Sequence, residues 1–204
     1  LKDTPDMSGR VTVPVLWDRQ TGRIVSNESS DIIRMLNSAF DGITGNTDDY
    51  WPEFLREQVE HLNDRIYDTV NNGVYKAGFA TSQEAYDKAV HPLFDSLGWI
   101  EGILSGNRYL AGDRLTEADW RLFTTVVRFD AVYHTHFKCN RRRVVDYPNL
   151  WGWARELYQW PGVAPTVRPD HFARHYYFSH DMVNPHRIIP IGPDADWTAP
   201  HGRG

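Results

Sequence analysis

Apolar positions along this chain follow two different periods in succession. From Arg10 onward short β-rich runs dominate: one stops at Val13-Pro14, resumes as Val15-Leu16-Trp17 and turns at Thr21-Gly22. The chain then enters a helix through Asn27-Glu28-Ser29-Ser30-Asp31, with Ile32, Ile33, Leu36 and Phe40 expected on its buried side. A polar, Gly/Asn-containing stretch from Asp41-Gly42 to Asp48-Asp49 reads as a linker. Beyond it the period becomes helical. Trp51, Leu55, Val59, Leu62, Ile66 and Val70 recur every three or four residues, with a stop expected at Asn71-Asn72-Gly73. Thr81 or Ser82 can cap a second long helix carrying Tyr86, Val90, Leu93, Leu97, Ile100 and Leu104, bent at Pro92. Thr116 and Asp119 have capping-box spacing at the start of a third, and Tyr147-Pro148 opens a fourth with Pro in its first turn. The tail from Phe172 to Gly204 shows no clear period. The order of parts is α+β: a β-α half-domain over residues 1–45 and an all-helical domain over 46–204 with an extended tail.

Composition narrows the functional classes. The 204 residues carry a net charge of −5, which argues against nonspecific binding to nucleic acid or to an anionic membrane. Arg141-Arg142-Arg143 is too short a cluster to change that, and reads as a solvated helix end. No apolar run approaches the roughly 20 residues that span a bilayer, so no membrane partner is expected. One cysteine excludes an internal disulfide framework and is compatible with a cytoplasmic setting. Eight Trp, ten Tyr and nine Phe exceed what a helical core of this size requires and suit pockets for flat substrates. The first residue is Leu, and the loop Leu1 to Gly9 has no fold of its own, so a fragment lacking its leading segment is expected.

Candidate chemistry begins at the strand and helix near the start. X-Pro is where cis peptides occur, and a cis bond at Val13-Pro14 leaves the Val13 N–H and C=O for an extended peptide; the bland alternative is an edge strand. Glu28 and Ser29 open a helix whose amides and dipole suit a carboxylate, beside the plainer role of an N-cap. Together they suit a small peptide with a charged end. Cys139 sits near Lys138 and three arginines that favour a thiolate, yet lies late in the helical domain and reads as a bystander. Neither His134-x-His136 nor the set from His175 to His180 has zinc spacing, so no metal is expected.

Longer motifs carry a resemblance. Asn63-Asp-Arg-Ile-Tyr67, Asn71-Asn-Gly-Val-Tyr-Lys-Ala-Gly-Phe79, Arg128-Phe-Asp-Ala-Val-Tyr133, His136-Phe-Lys-Cys-Asn140, Asp146-Tyr-Pro-Asn-Leu150, Arg174-His-Tyr-Tyr177 with Ser179-His180, and Asn184-Pro185 leading to Pro190-x-Gly-Pro193 occur in order. Together they resemble the glutathionyl-hydroquinone reductases, or Xi-class glutathione transferases, from about Arg10 to Arg203. The resemblance implies a partial thioredoxin-like half-domain followed by the helical domain of a glutathione transferase. It implies glutathione as co-substrate, aromatic quinol conjugates as substrates, and a homodimer through the helical domain. Arg10, Val11 and Thr12 are then expected to border the tripeptide and Val13 and Pro14 to face its cysteinyl part. Glu28 and Ser29 are expected to hold its γ-glutamyl end. Tyr75 is implied as proton donor or acceptor, with Tyr133 and Tyr176 stabilising a thiolate; core packing is the alternative for each. The family's Cys-Pro-Trp-type motif is absent from these residues, which implies a nucleophile upstream and an inactive fragment. With half of the sheet missing, residues 11–17 and 32–40 are expected to expose apolar surface. A non-catalytic binding or assembly module remains the alternative.

Overall fold

The computed structural model describes residues 13–204. Two compact units divide between Glu53 and Phe54.

In the first unit, β1 (Leu16–Asp18) and β2 (Arg23–Ser26) form an antiparallel pair with Trp17 opposite Ile24 and an irregularity between Leu16 and Trp17. Asp18 builds the turn. Its carboxylate accepts from the Gln20 amide at 2.7 Å and from the Thr21 hydroxyl at 2.8 Å, and Gly22 closes the turn with φ 68°. The Thr21 hydroxyl, then the two amides, holds the Asp18 carboxyl below its usual range. Helix α1 (Ser29–Ser38) follows, capped by Glu28.

Only Ile32 of the four expected apolar positions on α1 is buried. Ile33 is half-buried, and Leu36 and Phe40 remain 55% and 48% exposed. The helix ends at Ser38, so Phe40 leaves its apolar stripe and instead precedes the short helix α2 (Asp41–Thr44). The expected linker therefore holds a helical turn, closed by Gly45 at φ 69°. It packs back along the polar side of α1: Asn37 donates to Asp49 at 2.9 Å and accepts from the Tyr50 amide at 2.8 Å. Val13, Val15 and Trp17 are also exposed, within the span 11–17 expected to show apolar surface, and so are Ile24 and Val25, which lie outside it.

A 3-10 turn (Glu53–Leu55) begins at the last residue of the first unit and leads into α3 (Arg56–Ile66) of the second. Trp51 stays outside that helix because the residue before a proline, here Pro52, is disfavoured in helical geometry. Nor does the helical course stop at Asn71-Asn72-Gly73. It passes through a π-helical turn (Tyr67–Asn71) and continues as α4 (Gly73–Gly78). Gly73 keeps φ negative, and the Asn71 side chain is occupied by the Arg121 carbonyl at 3.0 Å and the Thr125 hydroxyl at 2.7 Å. A residue type that usually marks a stop is used here for a cross-link between helices.

Helix α5 (Gln83–Gly106) starts at the Ser82 cap and runs on through Pro92. Helix α6 (Glu117–Arg128) carries the capping box anticipated from Thr116 and Asp119. Asp119 is fully buried and accepts from the Thr116 amide and hydroxyl, the Leu110 amide and the Trp153 indole, all at 3.0–3.1 Å. Burial raises its pKa above the usual carboxylate range, and those donors oppose the rise. A second π-helical turn (Phe129–Tyr133) joins α6 to the single turn α7 (His134–His136). Helix α8 (Pro148–Tyr158) begins at Pro148 as expected, its first amides capped from α5: Glu101 accepts from the Asn149 amide at 3.0 Å and the Leu150 amide at 2.7 Å. The triple arginine stands before a 3-10 turn (Val144–Asp146) rather than at a helix end.

The tail is not wholly irregular. Residues Pro169–Ser179 form α9, which lacks a clean apolar period yet has Pro at its first turn and Asp170 beside it. Beyond it the chain folds back over α8. Trp197 meets Trp151 at 4.7 Å, Gln159 donates to the Trp197 and Ala199 carbonyls at 2.9 and 2.8 Å, and Arg203 reaches the buried Glu156 at 3.2 Å. Gly152 makes this crossing possible, since a Cβ there would lie 3.0 Å from the His201 carbonyl oxygen. The core gathers around Trp153, Phe129, Phe137, Leu97 and Leu122. No helix among the described residues is long and apolar enough to cross a membrane.

Candidate active site

Tyr75, Tyr133 and Tyr176 come from three separate helical segments and converge on one point. Their separation along the chain is large, so only tertiary packing unites them. Tyr75 lies on α4, directly after the first π turn; Tyr133 closes the second. The extra residue of a π turn rotates the side chains that follow it relative to a regular helix, a device common at functional sites. Tyr176 is carried by α9, which is tied to the second π turn by the Tyr177 hydroxyl donating to the Ala131 carbonyl at 3.1 Å. Asn184 fastens the far end of α9 by donating to the Tyr177 carbonyl at 2.7 Å. The unperiodic tail thus fixes the position of one phenol.

The three hydroxyls form a short relay. Those of Tyr133 and Tyr176 are 2.9 Å apart, those of Tyr75 and Tyr176 are hydrogen-bonded, and the Tyr75–Tyr133 edge, at 3.5 Å, is the weak one. Tyr176 is therefore the centre of a two-bond chain. Two hydroxyl protons are engaged within it, and the third remains at an end. Tyr75 is half-buried whereas Tyr133 is only 2% exposed, so Tyr75 is the end open to a reactant. Burial, reinforced by the neighbouring phenols, pushes the Tyr133 pKa well above its ordinary value, and burial likewise raises Tyr176. These two hydroxyls stay neutral donors. A chain in which Tyr133 donates to Tyr176 and Tyr176 to Tyr75 stabilises negative charge at or next to Tyr75 without carrying charge itself.

An aromatic sleeve surrounds the relay. Phe137 stacks on Tyr133 at 5.7 Å and on His180 at 5.8 Å, and Phe79 meets both Phe137 and His180 at 5.1 Å. His136 and His180 share a hydrogen bond at 3.2 Å between Nε2 and Nδ1. Burial, then the adjacent His180 and Lys138, lowers His136 to about 4. Gly78 shapes the sleeve: a Cβ there would fall 2.1 Å from Phe137 Cγ, so only glycine lets Phe137 lie against α4. Phe79, Phe137 and His180 stand within quoted motifs, but their spacing alone gives no sign that they share a wall.

Cys139 lies 0% exposed beside this sleeve, its Sγ facing the Phe137 carbonyl at 3.7 Å. Burial pushes its thiol up to about 12, and the lowering by Lys138 does not offset that. The favourable influence expected from nearby cations is overruled. Among the described residues no group of three or more His, Cys, Asp or Glu could hold a metal.

The expected peptide-binding residues lie in the first unit. The Val13–Pro14 bond is cis and Val13 is 88% exposed. Glu28 precedes the first residue of α1, Ser29, and accepts from the Ser30 amide at 3.5 Å, a long contact that leaves its carboxylate loosely committed. Arg10, Val11 and Thr12 lie outside the described residues.

Comparison with known proteins gives a consistent picture. Residues 2–39 match the glutathione S-transferase N-terminal domain and residues 83–156 the glutathione S-transferase C-terminal domain. The chain is 59% identical over 199 residues to the glutathionyl-hydroquinone reductase YqjG of Escherichia coli (strain K12), covering 98% of this chain and 61% of that protein. It superposes on the glutathione-bound structure of that protein with a TM-score of 0.96, covering 65% of it. It superposes on glutathione transferase Xi 1 from Trametes versicolor with a TM-score of 0.92 at 53% identity, covering 94% of this chain and 68% of that one. The chain spans about three fifths of the length of the curated relatives it matches.

Proposed function

The chain belongs to the Xi class of the glutathione transferases, with that superfamily's thioredoxin-like plus helical fold, and from this we propose that it serves the reductive removal of glutathione from glutathionyl-hydroquinones. The observation that carries the reading is the convergence of Tyr75, Tyr133 and Tyr176 inside an aromatic sleeve. Flat rings suit a quinol, and neutral phenol donors suit a thiolate or a quinol oxygen.

In this reading a cysteine thiolate attacks the thioether sulfur of the conjugate, and the sulfur–aryl bond breaks. The aryl carbon takes a proton, which gives the hydroquinone and a cysteine–glutathione disulfide; a second glutathione thiolate then releases oxidised glutathione. Tyr75 supplies or accepts the proton, and Tyr133 and Tyr176 hold the charge that develops beside it. The thiolate is not that of Cys139, whose burial keeps it protonated, so the nucleophile comes from outside these residues. Residues 1–45 act as the glutathione-recognising half and residues 46–204 as the quinol-handling half. Val13 and Pro14 offer backbone groups to the cysteinyl part, and Arg10, Val11 and Thr12 border the tripeptide. Glu28 pairs with the γ-glutamyl ammonium, while Ser29 and the α1 amides take its carboxylate. The expected homodimer forms through the helical unit; sedimentation at micromolar concentration giving a monomer would remove that part.

The direct test joins the chain, ahead of Leu1, to a thioredoxin-like segment bearing the family's Cys-Pro-Trp-type motif. Glutathione-dependent release of hydroquinone from a glutathionyl-hydroquinone is then followed. Turnover is expected. A folded protein that binds glutathione but releases no hydroquinone would instead favour a non-catalytic binding module.

A further inference from the structure

A cavity of about 460 Å³, lined by none of the relay tyrosines, lies between α6, the segment 163–168 and the start of α9. It falls within the range of small-molecule sites, roughly 300–1,000 Å³. Its walls are aromatic: Trp120 and Phe123 from α6 face Phe172 of α9. These walls are braced from behind, since Trp120 packs edge-to-face on Phe123 at 6.2 Å and on Trp160 at 6.3 Å, while Phe123 does so on Trp153 at 6.4 Å. Edge-to-face packing fixes ring orientation, so the slot keeps its shape without an occupant.

Its polar groups carry one sign. Arg128 and Arg168 line the cavity and no Asp or Glu does. Arg128 ends α6, where the helix dipole favours a cation; its guanidinium sits 5.6 Å over the Phe172 ring and donates to the Thr124 carbonyl. Asp170 pairs with Arg168 at 3.5 Å and with His171 at 3.6 Å but does not line the cavity, and no ion pair among the described residues engages Arg128. A neutral apolar molecule would leave the Arg128 guanidinium beside it without an ion-pair partner. A planar ring bearing an anionic group satisfies both the walls and the charge.

We propose that this cavity is a second ligand site that takes planar aromatic anions, namely aromatic carboxylates or phenolates of one or two fused rings. The proposal stands apart from the proposed reductase chemistry, because none of the residues lining the cavity belongs to the phenol relay. Occupancy would nevertheless touch α9 one turn before Tyr176, since Phe172 and Tyr176 lie at i and i+4.

Calorimetric titration with 1-naphthoate and with its uncharged counterpart 1-naphthalenemethanol tests this. Saturable binding of naphthoate at one site per chain is expected, about tenfold tighter than the alcohol, the difference between a charge-assisted and a neutral hydrogen bond. Arg128→Gln should remove that preference while leaving the alcohol's affinity within about twofold. Thr124→Trp, an exposed lining position, should fill the slot and abolish binding of both. Arg168→Gln, on an exposed segment, repeats the charge test should Arg128→Gln fail to fold. No saturable binding by the unaltered protein, equal affinity for acid and alcohol, or binding that survives Thr124→Trp would overturn the proposal.

Discussion

At the scale of single residues, burial decides which groups carry a charge. Cys139 has cationic neighbours in sequence, yet enclosure raises its thiol to about 12. Enclosure acts the other way on His136, whose neutral form is favoured down to about 4 from an ordinary value of 6.5. That difference links folding to pH. Between 6.5 and 4 the unfolded chain binds a proton at this position and the folded chain does not, so stability is complete above 6.5 and falls as the pH drops through that window. The loss should be roughly 2 kcal/mol by pH 4, after discounting for relaxation of the site. Chemical denaturation at pH 7 and pH 4.5 will measure it, with His136→Gln expected to flatten the difference between the two. An identical pH dependence in both proteins would show that His136 does not titrate in this way.

At the scale of elements, packing uses residues whose types alone read otherwise. Asn71-Asn72-Gly73 has the composition of a helix stop, but the side chain of Asn71 is drawn onto α6 and the chain continues as α4. Capping signals proved legible: Ser82, Thr116 with Asp119, and Pro148 each begin a helix where local chemistry places one. Helix α9 escaped the periodicity because its register is set by Tyr177 bonding to a π turn and by Asn184, contacts between distant segments. The π turns themselves leave no periodic mark. The grouping of the three tyrosines was legible through resemblance, whereas the sleeve of Phe79, Phe137 and His180 depends on where those turns aim their side chains. Gly78 offers the sharpest check on that sleeve. Gly78→Ala should cost about 3 kcal/mol, at the upper end of ordinary overpacking, because the clash is with the near end of Phe137 rather than a flexible tip. An unchanged denaturation midpoint would mean that Phe137 does not lie against α4.

At the scale of the whole molecule, each unit is held by different means. The helical unit closes on itself through its tail. Glu156, 4% exposed, is met by the Arg108 guanidinium at 2.8 Å, by the Tyr109 hydroxyl at 2.8 Å and by Arg203 at 3.2 Å. Arg203 also donates to the carbonyls of Asn107 and Arg108, at 2.9 and 2.6 Å, so the second-last residue locks the end of α5. Arg203→Ala removes a partner from a buried carboxylate and should destabilise the chain by about 2–3 kcal/mol. Thermal unfolding will register the loss as a lower midpoint, with faster proteolysis near Trp197; an unshifted midpoint would show that the tail contributes nothing to the fold. Among the described residues of the first unit, the exposed Val13, Trp17, Val25 and Leu36 contrast with the filled interior of the second.

The central claim is that a phenol relay ending at Tyr75 moves the proton in a glutathione-dependent reduction. The most direct measurement is steady-state turnover of a glutathionyl-hydroquinone by the chain joined to a segment bearing the family's Cys-Pro-Trp-type motif, comparing Tyr75→Phe with the unaltered sequence. Loss of the hydroxyl should lower kcat about 100-fold, within the span of general acid–base effects, while KM for glutathione stays within about twofold. Unchanged kcat in Tyr75→Phe, or parallel losses in turnover and glutathione affinity, would contradict the account.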